Sequence, residues 1–394
     1  NLQGRVDTYL GQAGLTSQIT NKLSMLADVR YENRDDKTPI LQYCNAATLA
    51  GLANTTFDCT NEPRSVRTYD SKLQASYVLP MGFRFTGGGE YIVKDRNEFD
   101  IRSVSFRDKT YETIYLGELR RALSETVTGA VSYTYSNRWG SPFLTNTLFH
   151  PTASNIGSNN IEPTYLSNRD TNTVKVTTNW TPTEKLSFQA FGSGGWADYN
   201  SRNNQNLGLQ TGLTQNYSAD ATYVFTEKWQ ANAWYSRNDI RVKQETCVTA
   251  AAAGGACPAT AAAPVWAAWL ENVSNSFGIG TKGKVTSKLE VGADAEYSNI
   301  ADHYPMANVS PAGNTPLGLQ VTPINTQIFD LKLNAKYALQ KNMGFRFNYI
   351  YNHFTTNDWT WNNWVYPSPD GTKVTQSQNQ VVNFFGLAYY YTFQ

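Results

Sequence analysis

The sequence predicts an all-β protein: a transmembrane, antiparallel, up-and-down β-barrel. Three observations carry that expectation. Apolar and polar residues alternate over long runs, the connections between runs are by turns very short and long, and aromatic residues gather near the ends of the runs. After Lys288 the residues Leu289, Val291, Ala293, Ala295 and Tyr297 share one face, while Glu290, Asp294 and Glu296 take the other. A period of two belongs to a strand, whose successive side chains point to opposite faces.

A soluble sandwich alternates as well, so length and connection pattern decide the class. The runs extend for roughly 13 to 16 residues, where soluble strands average about 5 to 6 and a tilted membrane strand needs about 9 to 11. Short turns alternating with long loops match the periplasmic and extracellular sides of an outer-membrane barrel. Aromatic residues make up 13% of the chain, with 24 Tyr and 10 Trp, which supplies material for interfacial girdles.

About 15 strands are expected, in order. The first, 4–19, turns at Thr20-Asn21-Lys22 into 23–36. Strands 64–79 and 83–96 meet at Pro80-Met81-Gly82, with Leu73, Ala75, Tyr77 and Leu79 facing one way and Lys72, Gln74 and Ser76 the other. Strands 108–123 and 127–139 meet at Ser124-Glu125-Thr126, and 169–182 and 186–199 at Thr183-Glu184-Lys185. Strands 207–225 and 229–245 meet at Thr226-Glu227-Lys228, and 267–285 and 288–301 at Thr286-Ser287-Lys288. In the pair 323–340 and 343–357, Phe329, Leu331, Leu333, Ala335 and Tyr337 continue into Phe345, Phe347, Tyr349 and Tyr351, and the last strand is 378–394. Long loops are expected at 37–63, 140–168, 246–266, 302–322 and 358–377, with shorter ones at 97–107 and 200–206. With no composition break, residues 1–394 read as one barrel domain.

Composition narrows the function. The chain has 394 residues, 40% hydrophobic and 16% charged, and no run approaches the roughly 18 apolar residues of a spanning helix. A mean hydropathy of -0.47 suits a barrel, which hides its lipid face in alternation. With 33 basic and 32 acidic residues the net charge is +1, which argues against a nucleic-acid binder or a strongly ion-selective pore.

Four cysteines fall into local pairs, Cys44 with Cys59 and Cys247 with Cys257. Disulfides within single loops are the simplest of the three pairings and suit an oxidising compartment. A metal site is the alternative, weakly supplied by His150, His303 and His353. No C-x-x-C-H occurs, so the chain has no c-type haem attachment site of its own. Expected cofactors bound by this chain are none.

The termini carry further expectations. Phe385, Leu387, Tyr389, Tyr391 and Phe393 alternate at the end and resemble the targeting signal of bacterial outer-membrane proteins, so residue 394 is expected at or within one residue of the true end. The chain opens into a strand without a signal peptide. First and last strands would both run from outside to periplasm, whereas bacterial single-chain barrels close with an even strand number. A barrel lacking N-terminal strands here, part of a larger even-stranded one, is preferred to a parallel seam.

The polar face concentrates charge at the outer strand ends. Asp28, Arg30, Glu32, Arg34, Asp35 and Asp36 form one group, and Tyr-polar-Arg or Tyr-polar-Asn patterns recur at Tyr135 to Arg138, Tyr199 to Arg202, Tyr235 to Asn238 and Tyr297 to Asn299. These read either as a mixed-charge lumen that grips a guest or as interstrand ion pairing at the rim. Strand parity alone nominates Asp28, Arg30, Glu32, Arg84, Glu90, Lys94, Lys332, Lys336 and Arg346 as lumen-facing. Glu290 and Asp294 share a face but stand roughly 13 Å apart, too far for joint acid–base work. No G-x-S-x-G, H-E-x-x-H or phosphate loop is present, so an enzyme is not expected. Trp359, Trp361 and Trp364 in the last long loop fit a contact surface or an interfacial anchor equally well.

The segment from Leu23 to Pro39, with Arg30-Tyr31 and Arg34-Asp35-Asp36-Lys37-Thr38-Pro39 after a Thr-Asn-Lys turn, resembles the MtrB/PioB family of decahaem-associated outer-membrane proteins. Lys94-Asp95-Arg96-Asn97, Asp108 to Thr113 and Tyr133-Thr134-Tyr135 are similar to the hairpins that follow in that family, and the likeness extends along the whole chain by hairpin order. The family's N-terminal cysteine motif has no counterpart in these residues. The resemblance implies a large barrel in the bacterial outer membrane that sheathes a multihaem c-type cytochrome, which carries the haem c and passes electrons across. An outer-surface multihaem cytochrome and outer-membrane lipids are the further partners it implies. The alternatives are a general or substrate-specific diffusion porin without a protein guest, and a barrel enzyme or adhesin.

Overall fold

The computed structural model describes residues 3–41, 61, 63–97, 106–143, 163–199, 208–247, 265–308, 315–316, 321–359, 365–367, 373–375 and 377–392. Long strands come in antiparallel succession: β1 (Val6–Gln18), β2 (Leu23–Asp36), β3 (Val66–Val78), β4 (Phe83–Arg96), β5 (Lys109–Ala122), β6 (Val127–Gly140), β7 (Arg169–Thr183), β8 (Leu186–Asp198), β9 (Gly208–Thr226), β10 (Trp229–Cys247), β11 (Val265–Lys284) and β12 (Leu289–Tyr304). After the short β13 (Met306–Asn308) and β14 (Thr315–Pro316) come β15 (Val321–Gln340) and β16 (Met343–Thr356); β17 (Val365–Pro367) and β18 (Lys373–Thr375) form a separate hairpin before β19 (Gln380–Tyr391). The expected strands agree with the long ones to within a few residues. The four short strands fall inside expected loops, because two or three residues are too few to display a period.

All but β17 and β18 lie in one 17-stranded sheet, each long strand paired with its neighbour in sequence. Among the described residues β1 pairs only with β2 and β19 only with β16, so the sheet is open. Both edge strands run toward the short-turn side, so pairing them with each other would make a parallel seam. Among the described residues no helix is long and apolar enough to cross a membrane.

The recurrent Thr-x-Lys turn has a local cause. Thr20 Oγ1 accepts hydrogen bonds from the backbone N–H groups of Lys22 (3.2 Å) and Leu23 (3.0 Å), and Thr286 does the same for Lys288 (3.2 Å) and Leu289 (3.0 Å). Ser124 plays this part for Thr126 and Val127. The hydroxyl satisfies donors that the tight turn would strand, which is why Thr or Ser opens it. At Pro80-Met81-Gly82 the solution differs: Met81 and Gly82 take φ of 60° and 76°, a region glycine adopts without cost.

Register keeps each face continuous. Ala293, Leu333, Tyr349 and Phe385 stand opposite one another across β12, β15, β16 and β19, and so do Leu23, Tyr77 and Phe85 across β2, β3 and β4. Buried apolar side chains among the described residues are few, namely Phe106, Ala130, Leu166 and Ala267, whereas Leu387 is 75% exposed and Leu15 68%. A sheet with so little interior of its own must bury that face against something else, and lipid is the solvent that accepts it. Aromatic pairs mark both borders of the apolar belt. Trp180 stacks on Phe188 (5.2 Å) and Phe345 meets Tyr389 (5.6 Å) near the short turns; Tyr31 meets Tyr69 (5.0 Å) and Tyr111 stacks on Trp139 (5.9 Å) toward the loops.

Candidate functional site

All nine lumen candidates fall on one face. Residues directly opposite in an antiparallel pair point the same way, and register carries the face of Asp28 through Lys72 and Glu90 along the sheet to Asp294, Lys332 and Arg346. The structure gathers them into two groups on distant stretches of the sheet.

The first group lies on β2 to β5. Asp28 stands opposite Lys72, which stands opposite Glu90, with Lys72 Nζ 4.0 Å from Glu90 Oε2. Asp28 also accepts from Gln12 Nε2 at 3.1 and 3.0 Å, and Arg30 Nη2 lies 2.6 Å from Glu32 Oε2. Lys94 stands opposite Thr68 and Thr110, and Arg84 opposite Arg120, whose Nε is 3.2 Å from Glu118 Oε1. These pairs are half-exposed, so they contribute little stability and leave charge available to a partner.

The second group lies on β15, β16 and β19. Lys336 and Arg346 face each other, and both stand over the ring of Tyr390, at 5.0 and 5.2 Å from its centroid. The ring's negative face offsets the repulsion between the two cations. Glu290 stands opposite Lys336 and Asp294 opposite Lys332. Lys72, Asp70, Glu112 and Tyr390 complete this surface and are absent from the set nominated by sequence, although the same parity on β3, β5 and β19 contains them.

At the outer end of β4 to β7 residues 163–168 fold over the polar face. Arg138 Nε donates to the carbonyl of Ser167 (3.0 Å) and its Nη2 to that of Thr164, while Arg107 Nη1 donates to Asn168 Oδ1 (2.7 Å). Within this strap Leu166 and Ser167 are almost fully buried. Arg169 Nη2 and Ser136 Oγ both donate to Glu112 Oε1, at 3.1 and 2.5 Å.

The expected charge cluster on the polar face divides between the two faces. Asp35 and Arg237 lie on the outward face, because the alternation stays strict while the strands continue past the apolar belt. Outward-facing Asp7 holds Arg5 at 3.0 Å and Lys37 at 2.9 Å, and the hydrogen bond to Asp7 raises the Lys37 pKa above its ordinary value. Trp359 Nε1 donates to the carbonyl of Thr322 (2.9 Å); Trp361 and Trp364 lie outside the described residues. So do Cys44, Cys59 and Cys257, while Cys247 is described only as the end of β10. Among the described residues no three His, Cys, Asp or Glu side chains gather as metal ligands.

A sequence profile described as "Putative outer membrane beta-barrel porin, MtrB/PioB" matches residues 1–393. The chain belongs to the MtrB/PioB family. A relative named "Outer membrane protein MtrB", from Shewanella baltica (strain OS185), is 24% identical over 367 residues, which cover 91% of this chain and 47% of the relative. The chain therefore spans about half the length of that MtrB. Solved structures with a similar strand layout include a variant of the ferric enterobactin receptor PfeA from Pseudomonas aeruginosa, 9% identical with a TM-score of 0.44, covering 97% of this chain and 69% of the receptor. The copper transporter OprC is 11% identical with a TM-score of 0.45, covering 99% of this chain and 65% of the transporter. Family membership places this MtrB/PioB protein in the outer membrane, with the short turns periplasmic and the long loops outside. The family is one of porin-like barrels, not of enzymes.

Proposed function

We propose that this MtrB/PioB chain is wall for a guest: it lines a lumen holding a multihaem c-type cytochrome and so lets electrons cross the outer membrane. The observation that carries the reading is the continuous mixed-charge polar face set against a continuous apolar one. Electrons do not cross hydrocarbon of about 30 Å unaided, and a redox protein needs a surrounding wall whose backbone hydrogen bonds are satisfied internally. In this reading the cytochrome carries the haem c and the wall does no redox chemistry. Asp28, Arg30, Glu32, Arg84, Glu90, Lys94, Lys332, Lys336 and Arg346 contact the guest by many weak polar contacts. Surrounding a guest requires the open edges of β1 and β19 to be joined, and further strands would join them without a parallel seam.

The porin of the family description is the second reading, a water-filled lumen with no protein guest. Purification through a tag on this chain in mild detergent, followed by haem staining and a visible spectrum, separates the two. A stoichiometric c-type signal on a separate polypeptide supports the sheath, whereas a colourless barrel that conducts ions in planar bilayers supports the porin.

A further inference from the structure

The periplasmic end of the polar face carries an excess of positive charge. Over the five strand residues next to each short turn, the polar-face positions hold six cations, Arg84, Arg120, Lys282, Lys284, Lys336 and Arg346, against two carboxylates, Glu118 and Glu290. All six cations are exposed. Two pairs of them face each other across neighbouring strands, Arg84 with Arg120 and Lys336 with Arg346, an arrangement that like-charge repulsion disfavours. Glu118 is held by Arg120 at 3.2 Å, and Glu290 stands opposite both Lys284 and Lys336. Arg84, Lys282 and Lys284 enter no ion pair among the described residues. The surrounding charges do not cancel the excess. The turns themselves add Lys22, Lys185, Lys228, Lys288 and Lys341 against Glu125, Glu184 and Glu227. One step deeper Asp28 faces Lys72, Asp294 faces Lys332, and Asp220 stands between Gln189 and Trp234.

We infer that this basic collar docks an acidic protein surface: the part of the luminal guest at the periplasmic entrance presents Asp and Glu side chains to Arg84, Arg120, Lys282 and Lys284. The inference rests on the sheath reading and adds to it the chemistry and position of one contact. Exposed like charges held face to face on a rigid sheet raise the local positive potential, and carboxylates set between them relieve the repulsion on both strands at once. Lipid headgroups do not reach these positions, because the wall itself separates the polar face from the bilayer. The cations stand on two separate arcs, β4 with β5 and β11 with β15 and β16, and the strand ends of β6 to β10 between them carry no charge on this face. A small anion meets one arc at a time. A protein that fills the lumen is the anionic body that meets both together.

Zero-length carbodiimide coupling tests the contact, because it joins a lysine amine only to a carboxylate that touches it. The complex is purified in mild detergent through a tag on this chain, coupled, and mapped by mass spectrometry. Lys282 or Lys284 should join Asp or Glu residues of the haem-bearing polypeptide. Lys282→Glu with Lys284→Glu should lower cytochrome recovery about tenfold, whereas Lys282→Arg with Lys284→Arg should keep recovery and abolish coupling at those positions. Arg121→Glu, at the same height but on the outward face over the Phe83 ring, should leave recovery unchanged. Heat-modifiable migration on gels verifies that each variant is folded. Cytochrome that co-purifies without coupling to either lysine, or whose recovery survives the double reversal, overturns this inference and leaves the sheath reading standing. A loss in the Arg121→Glu protein as large as in the double reversal also overturns it. Absence of cytochrome from the unaltered preparation overturns both readings, and a conductance whose anion preference the double reversal inverts would then identify a porin entrance.

Discussion

Arg138 and Ser167 are joined across the outer mouth of the polar face: the guanidinium Nε of Arg138, on β6, donates to the Ser167 carbonyl at 3.0 Å. The same side chain holds the carbonyl of Thr164, so one arginine ties down a segment whose Leu166 side chain is fully buried.

Arg138→Ala should therefore release the strap without unfolding the sheet. Hydrogen bonds to a charged donor contribute about 1.5–3 kcal/mol each, and local opening should rise accordingly. Hydrogen exchange at the amides of Leu166 and Ser167, both bonded to the Pro163 carbonyl at 2.9 Å, reports the release. Unchanged protection there would mean that packing of Leu166 alone holds the strap.

Leu333 and Asn334 are adjacent on β15 and point to opposite faces, Leu333 midway along the apolar run from Phe329 to Tyr337. Leu333→Arg should cost about 2–4 kcal/mol, the penalty of a cation on the lipid face near the midplane. Asn334→Arg, on the polar face, keeps its cation out of the hydrocarbon and should cost less than about 1 kcal/mol, as a substitution at an exposed polar position does. Equilibrium unfolding from lipid vesicles in guanidinium measures both, and equal costs would mean that the two faces are assigned the wrong way round.

Reversal of the paired cations tests the guest surface. Lys336→Glu with Arg346→Glu should leave the barrel folded, since both side chains are on the polar face above Tyr390. On the sheath reading it should lower cytochrome recovery in tagged purifications by about tenfold, equivalent to about 1.4 kcal/mol. Recovery equal to that of the unaltered protein would remove these two residues from the contact.

Trp229 covers Gly283, its cross-strand partner: a Cβ placed on Gly283 would lie 2.2 Å from the indole ring. Gly283→Val should displace the indole and cost about 1–3 kcal/mol through overpacking. A Trp229→Ala background should abolish most of that cost, a double-mutant cycle readable by thermal loss of heat-modifiable migration.

By itself the sequence determined the strands, their order and the parity of each face. Those are local properties: a period of two survives without knowledge of neighbours, and Thr20, Thr183, Thr226 and Thr286 build their turns from their own hydroxyls. Parity sufficed to put Asp28, Glu90, Lys332 and Arg346 on one face, because register in an antiparallel meander transmits parity from strand to strand. Only the tertiary structure decided which of them meet. The ring of Tyr390 beneath Lys336 and Arg346 and the strap under Arg138 each join residues from different strands or loops. Height along the strand was equally hidden. The sequence groups Asp35 and Arg237 with the lumen charges, yet they face outward beyond the apolar belt, where water and headgroups accept charge on either side of the wall.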